Sequence, residues 1–326
     1  MKLAILGAGA WGTALALGFS TRHQVALWTW QDDHARAMAA ARENVEFLPG
    51  HAFPEGLRVS SSPNEVLAGA ELAIVATPMA GLRATLGFLG GERSHLPFLW
   101  VCKGLEAGTG LLPHQLVANA VGERRCGALT GPSFAEEVAR GLPTAITVAS
   151  TDGSFARETA EALRTPRLRL YANDDVIGAE VGGAVKNVLA IATGICDGLG
   201  LGLNARAALM TRGLAEITRF GMALGAKRET FMGLAGLGDM ILTCTGDLSR
   251  NRRVGLALAS GRPLEAIQRE LGHVAEGVMT TREVARRAKD LAVDMPITAT
   301  VAAVLDGSLA AAGVVDRLMV RDTKAG

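Results

Sequence analysis

The sequence predicts an α/β protein: an N-terminal, Rossmann-like, doubly wound sheet followed by an all-α C-terminal domain. Three observations carry that expectation. Short apolar runs alternate with helical stretches up to residue 173, the pattern of strand–helix–strand units in a largely parallel sheet. The first apolar run is followed at once by Gly7-Ala8-Gly9-Ala10-Trp11-Gly12. Beyond 174 the strand signals stop, and an Ala-rich helical pattern takes over. The expected domains are therefore 1–173, Rossmann-like, and 174–326, all-helical, with a change of architecture rather than a loose linker at their junction.

In chain order, the β-rich apolar runs place strands over 3–6, 25–30, 57–60, 72–76, 98–102, 128–130, 145–149 and 168–171. Helical signals lie between several of them, over 10–20, 33–43, 64–69, 111–121, 134–139 and 154–164. After 174, helices are expected over 174–196, 204–224, 240–244, 252–260, 263–271, 280–290 and 296–305, with Pro263 and Pro296 near helix starts, where a missing N–H costs nothing.

Composition narrows the function. With 326 residues, 49% hydrophobic and 20% charged, the chain has ample apolar surface for two cores. Lys plus Arg is 33 against 32 for Asp plus Glu, so the basic surplus of a nucleic-acid binder is missing. Glycine is abundant, 40 residues or about 12% against a usual ~7%, and its placement marks close backbone approaches. Cys102, Cys126, Cys196 and Cys244 form no CxxC, and the six histidines form no HxxxH, so neither a metal site nor a disulfide scaffold is expected. The start resembles a secretory signal in charge and apolarity, yet three regularly spaced glycines interrupt it, as a phosphate loop requires. No apolar run approaches ~18 residues, so no membrane span is expected, and reduced thiols point to the cytoplasm.

Each glycine of the loop has a task in a dinucleotide site. Gly7 makes the tight turn, Gly9 exposes bare backbone to the pyrophosphate, and Gly12 lets helix and sheet approach, while the helix N-terminus offers N–H groups to phosphate. The ribose-reading acid should follow after ~20 residues, which reaches Asp32 or Asp33 and favours NAD. Either Asp equally suits a helix N-cap, and Arg36 stands near enough to meet a 2′-phosphate, so NAD and NADP both remain open.

The stretch 175–196 is apolar nearly all round and should be buried, yet it contains Glu180, Lys186 and Asn187 together with Gly178, Gly182 and Gly183. A mid-helix glycine costs about 1 kcal/mol relative to alanine. Gly182 and Gly183 precede Lys186 by four and three residues, which clears the face from which it projects. A buried lysine with a cleared approach is a candidate acid–base whose pKa burial lowers; the alternative is a lysine snorkelling over a tightly packed helix. Asp239 closes a second Gly-rich run, 233–239, as a helix cap or as the carboxylate that orients Lys186. Ser249-Arg250-Asn251-Arg252-Arg253 suits phosphate binding, although three arginines in five residues also suit a solvated face. Lys103 follows a strand at the carboxyl edge, where open sheets bind ligands, and Gly131 and Ser133 follow another, with Ser133 placed to cap a helix.

Taken in order, GAGAWG, KGLE, GPSFAEEVARGLPTA, GGAVKNVLAIATG, NARAALMTRGLAEI, GLGD and SRNRRVG resemble the NAD(P)-dependent glycerol-3-phosphate dehydrogenases of bacteria over nearly the whole chain. The resemblance implies interconversion of dihydroxyacetone phosphate and sn-glycerol 3-phosphate, supplying glycerophospholipid synthesis, with NADP or NAD as cofactor. It makes Lys186 the proton acceptor or donor and Asp239 its partner. Lys103, Gly131, Ser133, Ser249, Arg250 and Asn251 would surround the substrate, with its phosphate on Arg250 and Asn251. Gly7, Gly9, Ala10, Trp11, Gly12, Lys103, Ala135, Arg250, Val274 and Glu276 would hold the dinucleotide, with Trp30 and Gln31 near its adenosine end. Asn204, Thr211 and Arg212 fall in a family motif, but Leu203 stands where relatives often carry an acid, which weakens Asn204 as a site member. The absence of a basic residue at 30–31 weakens a preference for NADP. A homodimer is expected from the family. Rival readings are a hydroxy-acid or ketopantoate-type dehydrogenase of the same plan and a dinucleotide sensor without turnover.

Overall fold

The computed structural model describes residues 1–270, 276–314 and 317. Residue contacts divide the chain into two units, 1–103 with 111–179, and 104–110 with 180–326.

The first unit is built on strands β1 (Lys2–Leu6), β2 (Gln24–Trp28), β3 (Glu43–Asn44), β4 (Leu48–Ala52), β5 (Arg58–Ser60), β6 (Leu72–Val75), β7 (Phe98–Trp100), β8 (Cys126–Thr130), β9 (Thr144–Ala149) and β10 (Leu168–Asn173). Eight of them form one sheet in the order β5-β2-β1-β6-β7-β8-β9-β10. Its first six strands follow the 3-2-1-4-5-6 order of a dinucleotide-binding fold, with the order reversing next to β1. All neighbours are parallel except β8 and β9, where Leu129 faces Val148 across an antiparallel pair. The crossovers are α1 (Ala10–Ser20), α2 (Asp32–Ala41), α3 (Pro63–Leu67), α4 (Met79–Leu86), α5 (Pro113–Val121), α6 (Ala135–Ala139) and α7 (Gly153–Ala162). Helices on the faces bury β1 and β6 on both sides, which is why their sequences are continuous apolar runs. Leu3, Ile5, Leu15, Phe19, Leu27, Ile74, Leu99 and Ile146 form the centre of this core.

Two elements depart from the sequence expectation. The β3–β4 hairpin, with an irregular register at Glu43/Asn44, lies where no strand is predicted, because Pro49 and Gly50 inside β4 read as turn residues. Helix α4 is also unpredicted: it is eight residues long, contains Gly81 and follows Pro78 directly, so its periodic signal is brief.

The second unit is helical: α8 (Val176–Gly198), α9 (Gly202–Ala223), α10 (Asp239–Thr245), α11 (Arg250–Ala259), α12 (Leu264–Glu270), α13 (Glu276–Asp290) and α14 (Pro296–Leu305). By length and composition α8 is apolar enough to cross a membrane, but 94% of its most apolar window is buried inside the protein, as in a core helix. Its glycines set how closely it is approached. A Cβ on Gly182 would stand 2.4 Å from the Ala235 carbonyl oxygen, and one on Gly194 would stand 2.1 Å from that of Arg252. Gly182 therefore does not clear an approach to Lys186. At Gly182, backbone fills the space a side chain would need, and the second Gly-rich run comes to rest on α8.

Candidate active site

The Gly-rich loop occupies the turn from β1 into α1. Gly7 has φ +129°, and a Cβ there would lie 2.6 Å from the Ala76 carbonyl carbon, so both conformation and contact demand glycine. A Cβ on Gly12 would collide with the Gly7 oxygen at 1.9 Å, whereas one on Gly9 would meet nothing within 4 Å. At that open position no side chain covers the backbone, and the tight turn and close packing at Gly7 and Gly12 fit a dinucleotide loop. Ala10 opens α1, and Trp11 is half-buried against the core.

At the far end of β2, Trp30 is 75% exposed and Gln31 is the N-cap of α2. Asp32 and Asp33 sit in the first turn of that helix rather than capping it, and Asp33 pairs with Arg36 on the surface. Beyond the carboxyl ends of β7 and β8 lie half-buried Lys103 and the turn at Gly131, whose φ is +136°. The expectation that Ser133 caps a helix is not met: Phe134 is the N-cap of α6, and the Ser133 hydroxyl donates to the Gly131 carbonyl at 3.1 Å. Ala135 opens α6 and packs on the first unit's core.

In the second unit, α8 carries Lys186, 7% exposed, to the start of α10. Its Nζ donates to the carboxylate of Asp239, which is 0% exposed, and to Thr243 Oγ1 at 2.8 Å. The N-cap of α10 is Gly238, so Asp239 does not cap the helix and its carboxylate is turned to Lys186. A single π-helical turn, Leu234–Gly238, delivers it, and α10 sets Thr243 one turn further on. Thr243 donates its one proton to the Asp239 backbone carbonyl at 2.7 Å, so its lone pairs face Lys186. Burial penalises the ammonium, while the carboxylate and the hydroxyl compensate it. The Cys244 thiol beside it is pushed up to about 12 by burial and stays protonated.

The arginine run separates into different tasks. Ser249 Oγ caps α11 by accepting from Arg252 N–H at 3.3 Å. The Arg252 guanidinium is drawn away to Asp197 at 2.8 Å and to Asp247 at 3.0 Å, and Arg206 joins Asp197 at 3.1 Å. Arg250, at the first position of α11, is exposed, and among the described residues it has no ion-pair partner. Asn251 Oδ1 accepts from Gly277 N–H at 3.2 Å, which orients its amide N–H₂ away from α13. Glu276 opens α13, whereas Val274 lies outside the described residues. Asn204, Thr211 and Arg212 are exposed on α9, and Leu203 is 70% exposed.

Sequence reasoning missed Thr243, which reads as an ordinary threonine of an apolar helix; its only signal is the i, i+4 spacing from Asp239.

Residues 2–156 match the family model described as the NAD-dependent glycerol-3-phosphate dehydrogenase N-terminus, and 175–316 match that of the C-terminus. A glycerol-3-phosphate dehydrogenase (NAD(P)+) from Dechloromonas aromatica is 64% identical over 325 residues, covering 99% of both chains. One from Aromatoleum aromaticum is 57% identical over 326 residues, again covering 99% of each. Among solved structures, glycerol-3-phosphate dehydrogenase from Coxiella burnetii superposes with a TM-score of 0.92 at 42% identity, covering 98% of this chain and 99% of its own.

Proposed function

The chain belongs to the NAD-dependent glycerol-3-phosphate dehydrogenase family, and on that premise we propose how its residues carry the reaction. It is an NAD(P)-dependent oxidoreductase that interconverts sn-glycerol 3-phosphate and dihydroxyacetone phosphate. Lys186 Nζ gives a proton to the carbonyl oxygen as the ketone is reduced and takes it from the hydroxyl in the reverse direction. Asp239, with Thr243, accepts from Nζ and fixes where it points. The observation that supports this most is the Lys186–Asp239–Thr243 cluster, a buried amine with two orienting acceptors.

When bound, the dinucleotide supplies or accepts the hydride. Gly7, Gly9, Ala10, Trp11 and Gly12 take its pyrophosphate side, Trp30 and Gln31 its adenosine side, and Lys103, Ala135, Arg250, Val274 and Glu276 the remaining contacts. Arg250 and the Asn251 amide clamp the substrate phosphate, with Lys103, Gly131, Ser133 and Ser249 around the rest. Asn251 supports this assignment, since its oxygen is already engaged and its N–H₂ is the group left to serve an anion. We assign the enzyme to the cytoplasm, to glycerophospholipid synthesis and to a homodimer, in keeping with the family.

The test is reduction of dihydroxyacetone phosphate, followed by loss of reduced-nicotinamide absorbance, with unphosphorylated dihydroxyacetone as the control. Lys186→Ala, folded by circular dichroism, is expected to bind NADH as the parent does while turnover falls by about 10²–10⁴. Turnover near the parent's would remove Lys186 from the proton step.

A further inference from the structure

A chain of buried polar side chains in the first unit ends on the Gly-rich loop. Asn44, at the end of β3, is 0% exposed, and both hydrogen-bonding ends of its amide are used. Its Nδ2 donates to the Ala8 carbonyl and to Thr13 Oγ1, each at 2.8 Å. Its Oδ1 lies 3.2 Å from Phe47 N–H and 3.1 Å from His34 Nε2. Two donors and two acceptors meet two acceptors and two donors, which is the whole capacity of a carboxamide, so a flipped amide would mismatch all four. The same bookkeeping fixes the histidine. An amide oxygen only accepts, so His34 carries its proton on Nε2. In the neutral ring Nδ1 is then an acceptor, and Thr29 Oγ1, 3.0 Å away, donates to it.

The consequence lies in the Ala8–Gly9 peptide. In a trans peptide the C=O and the N–H point in opposite directions. By drawing the Ala8 carbonyl inward, Asn44 turns the Gly9 N–H outward, on the loop where no side chain stands within 4 Å of the Gly9 Cβ position. We propose that Asn44, held by His34 and Thr29, is a positioning residue for dinucleotide binding: it sets the Ala8–Gly9 peptide so that Gly9 presents its N–H to the phosphates. Thr29 follows the last residue of β2 and Ala8 follows β1, so the chain ties two adjacent strand ends of the site together before any ligand arrives. The proposal rests on the reading that this loop takes the dinucleotide phosphates.

The test is the dissociation constant of NADH and of NADPH, read by fluorescence titration without substrate. It is set beside the melting temperature of the ligand-free protein. Asn44→Asp keeps the shape but puts an oxygen against the Ala8 carbonyl. It should raise the dissociation constant about tenfold or more, as expected when a hydrogen bond to a charged group is lost. Should that variant fail to fold, the His34 pair decides. His34→Leu removes the donor that holds Oδ1 and should weaken binding, while His34→Gln restores a donor and should recover most of it. In the His34→Leu enzyme, the KM for dinucleotide should rise while the KM for dihydroxyacetone phosphate at saturating dinucleotide stays near the parent's. A folded His34→Leu protein with a lowered melting temperature but the parent's dissociation constant would overturn the proposal and leave these residues purely structural. Failure of the parent protein to bind either dinucleotide would instead overturn the reading of the loop itself.

Discussion

Lys186 and Asp239 are each almost entirely removed from water, so neither charge is tolerable without the other. Removing one partner of a buried pair typically costs about 3–5 kcal/mol, while replacing both with apolar groups is often neutral or stabilising. Lys186→Met leaves a carboxylate stranded beside Thr243, and Asp239→Leu leaves an ammonium there. The expected outcome is therefore non-additive: the double variant Lys186→Met/Asp239→Leu should unfold at a higher urea midpoint than either single variant, although it has no turnover. Costs that simply add would show that the two groups are not an ion pair in the folded protein. At this scale the sequence was partly legible. A lysine in an all-round apolar helix and an aspartate closing a glycine run are conspicuous because neither suits its local setting. Thr243 and Asn44 are not conspicuous, since each suits its helix or hairpin locally and gains its role only from a partner brought to it by the fold. Asn44 lies 36 residues from Ala8 in the chain.

Between elements, close backbone approaches govern how α8 and α11 pack in the second unit. Helices α8 and α11 meet through Gly194 and Gly255, and a Cβ on Gly255 would stand 2.1 Å from the Ile191 carbonyl oxygen and 2.8 Å from Gly194 Cα. Backbone cannot yield as a flexible side chain does, so the helices must separate. Gly255→Ala should cost about 1–3 kcal/mol by urea unfolding, as overpacking does. Because α11 also carries Arg250 and Asn251, the KM for dihydroxyacetone phosphate should rise with it. Gly56→Ala, at a position with open space and no positive φ, is the control and should change neither. An unaltered KM in a destabilised Gly255→Ala enzyme would detach the phosphate clamp from this helix crossing. Elements with a sustained period were readable in advance: β1, α1, α8 and α14 fall within two residues of expectation at either end. Hairpin β3–β4 and helix α4 were not, because proline and glycine inside or beside a short element outweigh its periodicity when the sequence is read alone.

Across the whole molecule, acid stability should reflect two groups with opposite shifts, half-buried His23 in the first unit and buried Glu216 in the second. In the first unit, both ring nitrogens of His23 are shielded from solvent. Burial first, then the N-terminal ammonium and Arg22, hold its pKa below the ordinary histidine value. The native state then binds fewer protons than the unfolded chain between the lowered value and about 6.5, so its contribution is present above that window and is lost as pH falls through it. In the second unit, Glu216 is 1% exposed and accepts from Ile297 and Thr298 N–H, each at 2.9 Å, which closes the N-terminus of α14. Burial pushes this carboxyl up, and the two N–H donors offset only part of that push. Here the native state binds more protons than the unfolded chain just above the ordinary glutamate range, so stability from this group falls as pH rises through that window and returns on acidification. Thermal unfolding of the parent, His23→Gln and Glu216→Gln between pH 5 and 8 separates the two. Relative to the parent, His23→Gln should fare better at the acid end than at the alkaline end, and Glu216→Gln the reverse. Glu216→Gln also keeps only one of the two oxygens that accept from Ile297 and Thr298 N–H, so it should melt below the parent throughout, with the gap widest in acid. Parallel pH profiles for the three proteins would mean that neither group changes its proton occupancy when the chain folds.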